Sequence, residues 1–185
     1  MGEGAFRVLF VCSGNTCRSP LAAAIFARVA EEEGLEVEVD SAGLEAVPGL
    51  PASEEAVAVA EEMGLDLSGH RSKGIWQVDP ASFDLVVAMT MRQKMRLLEM
   101  GLPPERVILY GEVADRGVKE AVEEALRLLR DGGGRAHFHR LVELGSLIAS
   151  AEVEDPFGEP REVYERVAER LSEYARLLAS SIKGA

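Results

Sequence analysis

Val8, Leu9, Phe10 and Val11 form an uninterrupted apolar run that ends on Cys12 and meets a Gly-Asn turn and a Ser-Pro pair directly afterwards. A run without polar alternation suits a strand covered on both faces, the situation inside a parallel sheet. Arg7 to Cys12 therefore reads as a strand with Cys12 at its carboxyl end. Ser19 then reads as a side-chain cap and Pro20 as the first helical residue, with Leu21, Ala24, Ile25 and Val29 keeping helical spacing up to Gly34.

The same alternation continues along the chain. Glu36 to Ala42 reads as a strand with one more exposed face, Ser53 as the cap of a helix to about Met63, and Phe83 to Met89 as a second fully apolar strand. A helix from Thr90 to Met100, a short strand from Val107 to Tyr110 and an amphipathic helix from Arg161 to Ile182 follow. This order predicts an α/β three-layer sandwich: a central, mostly parallel four-stranded sheet, flanking helices, and an anion-binding loop after the first strand. The 185 residues are read as one domain, 1–185, with a helical insertion at about 112–152. That insertion comprises helices near Val118 to Leu129 and Phe138 to Ile148 around a Gly132-Gly133-Gly134 break. It suits either a hairpin packed on the sheet or an arm for a homodimer or partner protein.

Charge narrows the function classes. A net charge of −12 opposes encounter with a nucleic-acid backbone or an anionic membrane surface, so neither is an expected partner. No charge-free apolar stretch approaches the roughly 20 residues of a membrane span, the N-terminus lacks a long apolar leader, and Phe6 stands where a myristoylation motif needs Ser or Thr. A cytoplasmic protein is expected.

Both cysteines, Cys12 and Cys17, and the chain's only asparagine, Asn15, fall within six residues. In parallel sheets ligands bind beyond the carboxyl ends of the strands, where helix N-termini present free N–H groups. Gly14 and Asn15 tolerate positive φ, which lets the backbone of Ser13-Gly14-Asn15-Thr16-Cys17 curl into an anion nest, and Arg18 adds a planar fork for two oxygens. The same field favours the thiolate form of Cys12, a nucleophile.

The segment VCSGNTCRSP, residues 11–20, resembles the active-site signature of the low-molecular-weight protein phosphatases, Cys-x5-Arg-Ser near the N-terminus. Glu154-Asp155-Pro156-Phe157-Gly158 resembles that family's Asp-Pro loop. Asp40 to Gly43, Asp66 to Ser72 and Phe83 to Thr90 resemble family segments in family order, leaving roughly Glu112 to Glu152 outside the likeness. The resemblance implies that Cys12 attacks phosphorus, that Ser13, Gly14, Asn15, Thr16, Cys17, Arg18 and Ser19 hold the phosphoryl group, and that Asp155 is the general acid. It implies further that Ser19 supports the thiolate, that Asn15 holds the loop, and that neither metal nor organic cofactor is required.

Within the family the protein-tyrosine branch usually carries a larger aliphatic after the loop Asn and aromatic walls at the mouth. Thr16, Phe157-Gly158 and Gly49-Leu50-Pro51 look more like the protein-arginine branch, with Thr16 and Phe157 as specificity residues. The expected substrate is a phosphorylated protein, phosphoarginine ahead of phosphotyrosine. Cys17 stays open between an inert buried thiol and a partner for a reversible disulfide with oxidised Cys12. His70 and Arg71 read as loop braces, Trp76 as a packing residue, Glu31 to Glu33 as a solvated helix end, and Met89, Met91, Met95 and Met100 as core or helix-face filler. A thiol redox protein is disfavoured because no cysteine follows Cys17, and a noncatalytic phosphate-binding module because nucleophile and acid are both present.

Overall fold

The computed structural model describes residues 4–131 and 137–184; the Gly132-Gly133-Gly134 break lies outside them. Four strands, β1 (Phe6–Cys12), β2 (Val37–Gly43), β3 (Leu85–Ala88) and β4 (Val107–Leu109), form one sheet in the order β2-β1-β3-β4. Every pairing is parallel, with Cys12 opposite Gly43 and Val11 opposite Ala88. The expected sandwich is therefore present, and its sheet is wholly rather than mostly parallel.

β1 needs its continuous apolar run because it is central. Val8, Phe10 and Cys12 face one core with α1 (Arg18–Glu32), α2 (Glu54–Glu62) and α6 (Arg161–Lys183), whereas Leu9 and Val11 face another with Leu97 of α3 (Met91–Glu99). Phe10, Phe26, Tyr110 and Tyr174 stack edge to face through the first core, with ring centroids 5.3–5.6 Å apart. Ser53 caps α2 by accepting the Ala56 N–H, and Thr90 and Gln93 form a reciprocal capping box on α3.

Helices α4 (Arg116–Arg130) and α5 (Phe138–Ser150) pack on each other and, through Val118, Val122, Leu144 and Ile148, on Leu109 and the partly buried Met91 and Met95 of α3. The two helices thus share a small core with the β4 end of the sheet. No helix among the described residues is long and apolar enough to cross a membrane.

Two local expectations are corrected. The N-cap of α1 is Cys17, so Ser19 and Pro20 are its second and third residues rather than cap and first residue. Ser19 cannot serve as cap because its hydroxyl is committed to Cys12. Trp76 packs its ring over Gly74 while staying 61% exposed, and Met100, exposed at the end of α3, is helix-face filler rather than core. Glu31 to Glu33 are solvated as expected.

A buried ion pair ties α3 to the turn after β4. Lys94 Nζ lies 2.5 Å from Glu112 Oε1, both side chains nearly inaccessible, and the same oxygen accepts the Leu109 N–H at 2.7 Å. Breaking such a pair strands a buried charge, whereas replacing both partners does not. Glu112→Ala is expected to lower stability in urea unfolding by about 3–5 kcal/mol, and the double variant Lys94→Met/Glu112→Leu by clearly less.

Candidate active site

The carboxyl end of β1 delivers Cys12 into a loop four of whose carbonyls are held by donors from outside it. Cys12 O accepts the Leu44 N–H, Ser13 O the Glu45 N–H, and Thr16 O the Ser53 N–H, each at 2.9 Å; Asn15 O accepts from His70 Nε2 at 2.7 Å. With the carbonyls held from outside, the N–H groups of Gly14, Thr16 and Cys17 have no protein acceptor among the described residues. They form the concave nest that an oxyanion fits. Gly43 permits the close approach of β2: a Cβ there would stand 2.5 Å from Ser13 O and 2.9 Å from Asn15 N.

Asn15 organises the loop. It is fully buried and, among the described residues, the only non-glycine with positive φ (55°), a conformation asparagine tolerates better than most residues. Its Oδ1 accepts the Lys73 backbone N–H at 2.8 Å, which turns Nδ2 towards Ser19 Oγ and Ser41 Oγ, both 2.9 Å away. Because Ser19 accepts from Asn15, its own proton has two acceptors in reach, Cys12 Sγ at 3.0 Å and Ala42 O at 3.4 Å; the Asn15 N–H also donates to that sulfur at 3.3 Å. Burial, with the nearby Lys73 and Arg71 charges, lowers the basicity of His70 below its ordinary 6.5. The ring is thus neutral near pH 7 and donates Nε2–H to the loop. His70 is a brace as expected; Arg71 holds only the carbonyls of Ser68 and His70 at the surface.

Because α1 starts at Arg18, that buried side chain stands at the helix mouth. Its Nη2 donates to Asp155 Oδ2 at 2.6 Å and its Nη1 to Val153 O at 3.2 Å, contacts spanning 137 and 135 residues. The Asp155 side chain is 52% exposed. Cys17 donates to Ser53 Oγ at 3.3 Å and lies 3.6 Å from Tyr164 Oη, whose ionisation is pushed up to about 12, chiefly by burial. Both cysteines are free thiols.

Cys12, Ser13, Gly14, Thr16, Cys17, Arg18, Asp155 and Phe157 line one cavity of about 290 Å³, together with Glu45, Val47 and Leu50. Asn15 and Ser19 stand behind the loop rather than in the cavity. A larger, polar cleft of about 620 Å³ adjoins it through Ser13, Arg18 and Asp155, but contains neither cysteine and runs along Arg92, Glu152 and Arg170. Cys12 and the unpaired loop amides mark the smaller cavity as the candidate site. Sequence reading missed Ser41, the Lys73 N–H, Gln93, which donates to Ser13 Oγ at 3.2 Å, and Glu45. Ser41 alone had a legible signal, an inward polar residue at the end of an apolar strand.

The family model for low molecular weight phosphotyrosine protein phosphatase matches residues 7–143, including α4, which the motif likeness leaves out. The protein-arginine-phosphatase of Bacillus subtilis is 32% identical over 176 residues, 95% of this chain and 96% of its own. Among solved structures, a low molecular weight protein tyrosine phosphatase from T. tengcongensis superposes with a TM-score of 0.73 at 34% identity, covering 96% of this chain and 99% of its own. A YwlE arginine phosphatase mutant whose active-site serine, replacing cysteine, is phosphorylated superposes at 0.72 with 31% identity and 96% coverage of both chains. With the loop geometry and these full-length likenesses together, the chain belongs to the low molecular weight phosphotyrosine protein phosphatase family and is a cysteine-dependent protein phosphatase.

Proposed function

We propose that this enzyme hydrolyses phosphoarginine in proteins, with Cys12 as nucleophile, Arg18 and the loop amides as the phosphoryl cradle, and Asp155 as proton donor. The observation that carries the chemistry is the convergence of Cys12, the unpaired loop amides and the Arg18–Asp155 pair on one cavity, with Ser19 Oγ against Cys12 Sγ from behind. The substrate class is supported by Thr16, a small polar residue beside the two cysteines, and by the full-length likeness to a protein named for arginine dephosphorylation.

In the first step Cys12 Sγ forms a bond to phosphorus as the P–N bond to the guanidine breaks. The loop amides and Arg18 take the three equatorial oxygens, and Asp155 delivers a proton to the departing nitrogen. In the second, water attacks the phosphocysteine, Asp155 takes its proton, and the S–P bond breaks to return a thiolate that receives the Ser19 hydroxyl proton as a hydrogen bond. A phosphoryl group competes with Asp155 for the Arg18 fork, so its arrival frees the carboxyl for proton transfer. Guanidine leaves far less readily than phenolate, which makes that proton indispensable for phosphoarginine.

A phosphotyrosine substrate is the second reading, favoured by the T. tengcongensis structure, whose likeness is as complete. A side-by-side assay of phosphoarginine and phosphotyrosine peptides with a chelator present separates the two. Cys12→Ser is expected to lose more than about a thousandfold in turnover, and Arg18→Ala about a hundredfold or more in kcat/KM; retained turnover in Cys12→Ser overturns the mechanism. Asp155→Asn should cost about a hundredfold or more on phosphoarginine and markedly less on p-nitrophenyl phosphate, whose leaving group needs no proton. Thr16→Ile is expected to shift the kcat/KM ratio about tenfold towards phosphotyrosine; an unmoved ratio removes Thr16 as a determinant.

A further inference from the structure

Two carboxylates line the catalytic cavity, and they differ in what they face. Asp155 is held by Arg18 at 2.6 Å. Glu45 forms no ion pair among the described residues, although Arg92 and Arg96 share with it the shallow groove on its other side and Arg96 is paired with Glu99 at 3.2 Å. Its backbone is nevertheless fixed to the phosphate loop. The Glu45 N–H donates to Ser13 O, the preceding Leu44 N–H donates to Cys12 O, and the following Ala46 is buried. An exposed, unpaired carboxylate is thus carried by a backbone registered against the nucleophile.

The rest of the rim is apolar: Val47, Leu50 and Phe157 are all exposed, Phe157 to 71%. A mouth with an apolar rim and one free negative charge suits a side chain with a hydrocarbon stem and a planar cationic head. It disfavours an ester whose leaving group is a neutral ring, because the carboxylate then meets only the phosphoryl dianion.

We propose that Glu45 is a specificity residue, binding the guanidinium of the phosphoarginine side chain at the mouth of the cavity and selecting against neutral leaving groups. This rests on the phosphoarginine reading above. The bond is a charge-assisted N–H···O contact present in the bound substrate, so its loss should appear mainly in KM.

The test compares wild type, Glu45→Gln and Glu36→Gln on a phosphoarginine peptide and on p-nitrophenyl phosphate at low and high salt. Glu36 is exposed at the opposite end of the sheet, where it precedes β2, and controls for the change in net charge. The ratio of kcat/KM for phosphoarginine over p-nitrophenyl phosphate should fall about fivefold in Glu45→Gln, through KM, with a weaker salt dependence, and hold in Glu36→Gln. A ratio that stays put in Glu45→Gln while wild type cleaves phosphoarginine overturns the role of Glu45 alone, as does an equal fall in Glu36→Gln. Wild type inert towards phosphoarginine but active on p-nitrophenyl phosphate overturns the substrate reading and this role with it.

Discussion

The side-chain amide of Asn15 is the interaction on which the site depends. One oxygen and one nitrogen hold Lys73, Ser41 and Ser19 in a buried network, and the backbone of the same residue takes the positive φ that lets the loop close on itself. A buried amide is stable only when its donors and acceptor are matched, so the network has one arrangement. That arrangement leaves the Ser19 proton for Cys12 Sγ at 3.0 Å, the nearer of the two acceptors in its reach. Fold and chemistry meet here, because the group that satisfies the strained loop also sets the polarity around the nucleophile.

The parallel sheet supplies the rest. With all four strands running the same way, their carboxyl ends lie at one edge, and the connections that leave them pack against the phosphate loop: β2 through Gly43, β3 through Gln93 of the following helix. The acid loop is brought in by separate ties, the Val153 N–H on Met89 O at 2.9 Å and Tyr174 Oη on Ala151 O at 3.3 Å. Gly111 allows this approach, since a Cβ there would collide with Ala151 O. Asp155 therefore reaches Arg18 on a segment anchored to the core just before it, while its own side chain stays half-exposed and able to turn.

Electrostatics are arranged against the background of the whole chain. A protein of net charge −12 builds a local positive site from backbone N–H groups, a helix start and one buried guanidinium. Acidic surroundings weaken the long-range attraction of anionic ligands, so the short-range amide and guanidinium donors of the loop must carry their binding.

The sequence by itself determined the fold class and the place of the loop after β1, and it singled out Cys12, Arg18 and Asp155, which the fold brings to one cavity. These follow from local rules: an unbroken apolar run demands a doubly covered strand, Gly-Asn permits a curled loop, and Cys, Arg and Asp each have distinctive chemistry. Tertiary structure decided what local rules cannot express. Ser19 is a thiol partner rather than a helix cap because Asn15 and Cys12, brought near by the loop's curl, outcompete the helix N-terminus for its hydroxyl. Trp76 is 61% exposed because its ring covers the buried Gly74 of its own turn instead of entering a core layer. Ser41, Lys73 and Glu45 join the site only because β2, the loop that follows it and the segment before Ile75 run beside Cys12 to Thr16. Their roles depend on contacts between segments tens of residues apart, and such contacts are set by the packing of the whole sheet rather than by any spacing along the chain.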